Sequence, residues 1–211
     1  MHTITLVCSV HKSNGNCDVG QLVKILRKLE PDVIFQEVRS SDGQSLEALA
    51  AREYCEFKLC RLVHVDEHKL PVDAAEIKFL LDVGLEYVAE CCEEYRELES
   101  ENLTRTDQDG FNYLNSVDFA KTSARMERIE DELMEGKAAD ALRRWRQFML
   151  ERDIEMVRNI YSHCKTNAFD TGVFLVGAGH RMGIAKQIQN FSAKEPDLIA
   201  WNFYDGRILS T

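Results

Sequence analysis

The sequence predicts an α/β fold in which a mixed or mostly parallel sheet is flanked by helices, with a long helical insertion in the middle. Three observations support this prediction. Apolar, β-rich runs alternate with helical patterns near the N-terminus, as in βαβ units. Residues 73–163 show helical spacing of apolar residues almost throughout, and the last third returns to apolar runs around one helix. We therefore expect a single α/β domain over residues 1–211, with 73–163 as a helical insertion or cap.

The N-terminal part of the chain has the pattern of a βαβ unit. ITLVCSV, residues 4–10, is apolar nearly throughout, which suits a strand buried on both faces. Asp18 is placed to cap a helix over residues 19–29, which Pro31 ends. DVIFQEV, residues 32–38, is the second predicted strand. Because a helix connects the two strands, we expect them to be parallel.

The remaining elements follow from the same patterns. A short helix over 45–57 and a strand over 58–65 precede the insertion. Within the insertion, helical patterns cover residues 73–99, 111–135 and 138–163, with a break at TDQDG, 106–110. The C-terminal part contains a strand over 171–179, a helix over 181–191 and a last strand over 197–204. The order of these elements is typical of α/β proteins.

The bulk composition limits the classes of partner. The chain has 211 residues, of which 45% are hydrophobic, enough for a substantial core. Its formal net charge of −10 argues against a nucleic-acid partner, because an acidic surface repels phosphates. No apolar run reaches membrane-spanning length, and the N-terminus lacks the features of a signal peptide. We therefore expect a cytosolic protein without a membrane partner, whose seven cysteines are thiols.

Three polar residues are predicted to meet at one edge of the sheet. His11 follows the first strand, Glu37 lies near the end of the second, and His180 follows the strand over 171–179. In open α/β sheets, ligands bind just beyond the carboxyl ends of the strands. If these strands are parallel neighbours, the three side chains converge there. The alternative is that each histidine is an ordinary loop or core residue.

Two histidines and a carboxylate suit two kinds of chemistry. His11, Glu37 and His180 can together bind a divalent metal such as Mn, Co, Fe or Zn, which polarises a carbonyl or acidifies water. Without a metal, Glu37 can hold a histidine that takes a proton from water.

Glycines precede the second histidine of the predicted site. Gly177 and Gly179 would let the backbone turn tightly before His180 and approach a ligand closely. An ordinary turn between a strand and a helix also favours glycine, so the pattern supports the site without defining its ligand.

Two charged residues interrupt the apolar stripe of the helix over 138–163. Arg152 and Asp153 occupy the middle turn of this stripe. A charge on a core-facing stripe is costly unless it is paired, so Arg152 is a candidate to hold Glu37 or a substrate carboxylate. In the alternative, the stripe drifts around the helix and both charges are solvated.

A histidine- and acid-rich segment, HVDEH, follows the third strand at residues 64–68. Asp66 and His68 leave the carboxyl end of that strand, which places them beside the predicted site. His64 and His68 could chelate a metal if the segment were helical, but the strand-like run before it and Pro71 after it argue against a helix. The alternative is a solvated loop.

Four segments together resemble the TraB/PrgY, GumN and Tiki families. The segments are VCSVH (7–11), PDVIFQE (31–37), ERDIEMVRNI (151–160) and VGAGHRMGI (176–184). These families belong to a wider superfamily with the erythromycin esterases and the ChaN-like haem-binding proteins. In that group, two G-x-x-H motifs, a glutamate after the second strand and an arginine from an E-R-(D/N)-x-x-M helix line the site. The resemblance covers residues 3–38 and 150–185.

The resemblance implies the site residues His11, Glu37, Arg152 and His180, the last within the full motif Gly177-Ala178-Gly179-His180. The first motif departs from the family pattern, because Cys8 stands where glycine is expected. Asp66-Glu67 also stands where an Asp-Arg pair is usual, so one cation is lost.

The resemblance implies several functions, because its members differ. Tiki-branch members are metal-dependent proteases, erythromycin esterases hydrolyse a lactone with His and Glu, and ChaN-like members bind haem. The leading hypothesis is a cytosolic hydrolase of an amide or ester bond in a small molecule or peptide. The alternatives are a haem-like ligand-binding protein, and an interaction protein whose long helices, residues 73–163, pair with a partner. The same helices could also form an oligomer.

Overall fold

The computed structural model describes residues 1–37 and 44–205 and confirms the α/β fold. All five strands are parallel, in the order β3-β2-β4-β1-β5. They are β1 (His2–Ser9), β2 (Val33–Gln36), β3 (Arg61–His64), β4 (Thr171–Gly177) and β5 (Ile199–Phe203). The predicted end of the second strand, residue 38, lies outside the described residues.

The part of the chain that the structure describes contains eight α-helices. They are α1 (Val19–Leu29), α2 (Leu46–Phe57), α3 (Ala74–Cys91), α4 (Glu93–Asp109), α5 (Phe111–Leu114), α6 (Val117–Leu133), α7 (Gly136–Thr166) and α8 (Arg181–Ser192). The predicted break at 106–110 is wrong for its first four residues: α4 continues to Asp109, and only Gly110, with φ of +58°, departs from the helix. None of these helices is both long and apolar enough to cross a membrane.

The sheet is covered on both faces, which explains its nearly continuous apolar strands. Val7 and Leu175 lie on the face covered by α1 and α2. Leu6 and Phe174 lie on the opposite face, covered by α7 and α8. A separate apolar core joins α3, α4, α6 and α7, so the helices between β3 and β4 pack partly on one another.

The topology places a switch point at the carboxyl ends of β1 and β4. These two strands are neighbours and end in register, with Ser9 opposite Gly177. The chain leaves β1 toward α1 on one face of the sheet and leaves β4 toward α8 on the other. Ligands bind at such a switch point in open α/β sheets. His11 and His180 both lie just beyond it.

Candidate functional site

Glu37 is the centre of a buried charged cluster. Its side chain is 6% exposed, and its Oε2 accepts a 2.7 Å hydrogen bond from the Gly177 amide. Its Oε1 faces three cations or potential cations: Arg152 Nη2 at 2.8 Å, His180 Nε2 at 3.2 Å and His11 Nε2 at 3.9 Å. Burial raises the pKa of Glu37, but the hydrogen bond and attraction from His180 outweigh it, and the pKa falls to about 2. The carboxylate is therefore ionised at neutral pH.

His180 lies between two carboxylates. Its Nδ1 donates to Asp153 Oδ1 over 2.5 Å, and its Nε2 faces Glu37, with the ring 4% exposed. Burial lowers the pKa of His180, but hydrogen bonds to Asp153 and Glu37 outweigh it and raise the pKa to about 9. Burial raises the pKa of Asp153, against the attraction of His180. Because the pKa of His180 lies well above neutral, the ring is an imidazolium at pH 7 and the proton of the pair resides there.

Arg152 links the cluster to the end of β3. Besides Glu37, it donates to Asp66 Oδ2 through Nε at 2.9 Å and Nη2 at 2.6 Å. The guanidinium is 16% exposed, so α7 turns both Arg152 and Asp153 inward. The alternative in which both charges are solvated is therefore wrong. The carboxylates offset the cost of burying the cation, because each accepts a charge-assisted hydrogen bond.

His11 is the accessible histidine of the cluster. Its side chain is 51% exposed, and its Nδ1 lies 3.0 Å from Glu47 Oε1. The hydrogen bond to Glu47 raises the pKa of His11 above its ordinary value, with burial acting in the opposite direction. His11 therefore combines exposure to a ligand with a direction fixed by a carboxylate.

Sequence reasoning missed Glu47, although a signal exists. Glu47 precedes Ala50, Ala51 and Tyr54 by three, four and seven residues, and all four are buried on one face of α2. A charged residue on such a face is costly unless it has a partner. The partners are His11 and Ser9, whose hydroxyl donates to Glu47 Oε1 over 2.5 Å.

The glycines of the turn after β4 differ in their roles. A Cβ on Gly177 would lie 3.2 Å from the His11 ring and 3.3 Å from Glu37 Oε2, so this glycine allows the site to close. A Cβ on Gly179 would face open space, and φ is not positive at either residue. The structure therefore gives a packing reason for Gly177 but none for Gly179. Farther along, a Cβ on Gly183 would overlap the Asp153 carboxylate.

We expect Gly183→Ala to lower the free energy of unfolding by about 1–3 kcal/mol, because the added methyl displaces Asp153 from His180. Urea denaturation measures the change. Gly179→Ala is the matched control and should stay within about 0.5 kcal/mol of wild type. Equal effects of the two substitutions would contradict the close contact between α7 and α8.

Asp66 and His68, the two residues predicted at this edge from the segment after β3, have different partners. Asp66 joins the cluster through Arg152. His68 instead lies against α7, with its Nδ1 2.7 Å from Glu155 and its Nε2 3.6 Å from Glu151. The structure thus brings His11, Glu37, Asp66, Arg152, Asp153, Gly177 and His180 together, and it directs His68 toward two other carboxylates.

An asparagine and an arginine, neither predicted, fix the end of β1. Asn115 accepts from the Cys8 amide at 2.8 Å and donates to the Cys8 carbonyl at 2.9 Å. Arg181 donates to the Asn115 carbonyl at 2.8 Å. Cys8 is buried, and burial raises the pKa of its thiol to about 11. The Cys8 side chain that replaces the expected glycine is therefore accommodated in the core.

The donor atoms do not fit a divalent metal in this arrangement. Both ring nitrogens of His180 face carboxylates, and Glu37 already faces the Arg152 guanidinium. Within residues 1–37 and 44–205, no group of three or more His, Cys, Asp or Glu side chains is arranged to hold a metal ion. Metal binding by His11, Glu37 and His180 stays a prediction from the sequence.

We expect stability to fall as pH rises through the pKa of His180. The folded pKa of about 9 exceeds the ordinary 6.5, so the stabilisation is complete below pH 6.5 and is lost above pH 9. The shift corresponds to about 3 kcal/mol. Glu37 acts in the opposite range: its stabilisation is present above pH 4.5 and is lost as pH falls toward 2.

Urea denaturation at a series of pH values measures this dependence. His180→Gln should remove the loss of stability between pH 6.5 and 9 that is due to the ring. The buried cysteines, whose pKa values are raised by burial, contribute equally in both proteins. An identical loss in the wild type and the variant would show that His180 is not the responsible group.

The fold and the cluster define the class of this molecule: a three-layer α/β protein with buried arginine, histidine and carboxylate groups at the carboxyl edge of a parallel sheet. Comparisons with protein-family models, with curated proteins and with solved structures found no match for the chain.

Proposed function

We propose that this protein is a hydrolase of an amide or ester bond that works with its own charged side chains. The observation that carries the proposal is the position of His11: its half-exposed ring directs Nε2 toward the buried Glu37–Arg152–His180 cluster. The resemblance to the TraB, Tiki and erythromycin esterase group supports the same reaction class. A small molecule or a short peptide is the proposed substrate.

The proposed reaction uses His11 as the general base. A water molecule gives a proton to His11 Nε2 while its oxygen attacks the carbonyl carbon of the substrate. The carbonyl oxygen becomes negative and is stabilised by the positive charge of Arg152, whose Nη1 contacts Met149 Sδ rather than a carboxylate. When the tetrahedral intermediate collapses, His11 returns the proton to the leaving nitrogen or oxygen. Glu37 keeps Arg152 and His180 in place and stays ionised, consistent with its low pKa.

The test is hydrolysis of 4-nitrophenyl acetate and of an aminoacyl 4-nitroanilide. Glu37→Gln should reduce turnover at least about 100-fold, because Arg152 and His180 lose the carboxylate that they share. Glu195→Gln, which alters a partly exposed pair with Lys165, is the matched control and should match the wild type. No turnover of either compound by the wild type would count against the hydrolase.

Adding EDTA separates the two versions of the mechanism. A metal-free site keeps its activity in EDTA, with no stoichiometric metal detected by elemental mass spectrometry. Loss of activity in EDTA, with recovery on adding Mn, Co, Fe or Zn, would replace the proposed mechanism by the metal-dependent one. His11→Gln and His180→Gln would then both lose the bound metal.

The second candidate function is binding of haem or a similar ligand without catalysis. The half-exposed His11 favours it, because an accessible imidazole nitrogen is a common axial ligand of haem iron. Titration with haemin should then give a Soret band that His11→Gln abolishes. No spectral change in the wild type would remove this candidate. The cytosolic location and oligomerisation through the long helices stay predictions from the sequence.

A further inference from the structure

We propose that Glu47, together with Ser9, is a positioning residue that fixes the direction and the tautomer of His11. This inference rests on the proposed function, in which His11 takes a proton at Nε2. Glu47 Oε1 accepts from His11 Nδ1 at 3.0 Å and from Ser9 Oγ at 2.5 Å. One carboxylate oxygen therefore holds both side chains at the end of β1.

The backbone ties the same two segments together. The Leu46 amide donates to the His11 carbonyl at 3.0 Å, so the first turn of α2 is bound to the residue that it orients. Ser45 caps the helix by accepting from the Ala48 amide at 3.2 Å. The start of α2 is thus fixed relative to β1, and a side chain in its first turn has a defined direction toward His11.

The burial of Glu47 is costly, which argues for a role other than packing. Its side chain is 4% exposed on the face of α2 that otherwise carries alanines and a tyrosine. Its Oε2 is buried without a hydrogen-bond partner among the described residues. A buried polar atom without a partner is destabilising, and an apolar residue of similar size would avoid that cost. The benefit of the carboxylate lies in what Oε1 holds.

The hydrogen bond to Glu47 decides which nitrogen of His11 is free to act as a base. Because Nδ1 donates to Glu47, neutral His11 carries its proton on Nδ1 and leaves the lone pair of Nε2 directed toward Glu37. Asp153 holds Nδ1 of His180 in the same way. His180 is buried, whereas His11 is half exposed, so Glu47 orients the histidine that can meet a substrate.

Nitrogen-15 NMR of histidine-labelled protein tests the tautomer without any substrate. The pair of ring nitrogen signals that disappears in His11→Gln is assigned to His11. Spectra are then recorded at rising pH until the His11 ring is neutral. The wild type should show His11 with the proton on Nδ1. In Glu47→Gln the fraction with the proton on Nε2 should rise, with a smaller change in Ser9→Ala. Glu53→Gln, on the exposed face of α2, is the matched control and should not differ from the wild type.

Kinetics with 4-nitrophenyl acetate give the second readout. Glu47→Gln should lower kcat about 100-fold and leave KM nearly unchanged, and Glu47→Asp should recover part of the loss. A purely structural role would lower Tm without altering the tautomer. An unchanged tautomer in Glu47→Gln overturns the proposal. If Glu47→Gln changes the tautomer but the wild type shows no turnover, the hydrolase is rejected and the positioning role is kept.

Discussion

Replacing Arg152 with Met lowers the free energy of unfolding at neutral pH by about 3–5 kcal/mol, because it removes one partner of a buried ion-pair network. Glu37 and Asp66 lose their common cation, and their side chains are only 6% and 9% exposed. Two carboxylates would then face each other with little access to water. Methionine keeps most of the volume of the side chain, so the lost stability is due to the missing charge rather than to a cavity.

Urea denaturation at pH 7 measures this effect, and Arg125→Met is the matched control. Arg125 pairs with Glu94 near the surface, where both side chains are more than a third exposed, so its loss should cost about 1 kcal/mol or less. Adding Glu37→Gln and Asp66→Asn to Arg152→Met should recover much of the lost stability. A loss of the same small size in both arginine variants would contradict a buried network.

Local patterns were sufficient to predict many elements of this fold. Asp18 and Ser45 accept hydrogen bonds from the first turns of α1 and α2, and both helices begin one residue later, close to the predicted starts. The central strands β1, β2 and β4 were recognisable because both faces of the sheet are covered there, which makes these strands mostly apolar. Helix caps and strands buried on both faces depend on a few consecutive residues, so they can be detected without knowledge of the rest of the chain.

Features that depend on distant contacts were not predictable in the same way. The apolar spacing continues through Cys91 and Cys92, yet the structure ends α3 at Cys91, and Cys92 has extended backbone angles. The position of β4 between β1 and β2 depends on pairing between residues far apart in the chain. An apolar run indicates that a strand is buried, but it does not indicate which strand lies beside it.

The candidate site shows the same division. His11, Glu37 and His180 could be placed together because they follow strands whose carboxyl ends share an edge. Glu47 could not be placed with them, because its partner is decided by how α2 packs against the end of β1. His68 also follows a strand, but it pairs with two glutamates of α7 instead of Glu37. Sequence position selects the edge, and the packing of helices selects which side chains at that edge interact.

Replacing His11 with Gln is expected to reduce turnover of 4-nitrophenyl acetate by about 10²–10⁴-fold, because the proposed general base is lost. Stability should change by only about 1 kcal/mol, since the ring is half exposed. His2→Gln is the matched control. His2 lies at the amino end of β1, far from the carboxyl edge of the sheet, and hydrogen-bonds to the backbone carbonyls of Cys164 and Phe169. It should leave turnover unchanged.

His180→Gln separates catalysis from folding when it is compared with His11→Gln. Removing the buried imidazolium leaves Asp153 and Glu37 without a shared cation, so we expect this variant to lose both turnover and stability. His180→Ala should destabilise the fold for the same reason, because both carboxylates at the ring lose their partner. If His11→Gln unfolds as readily as His180→Gln, or keeps full turnover, His11 is not the base that the geometry indicates.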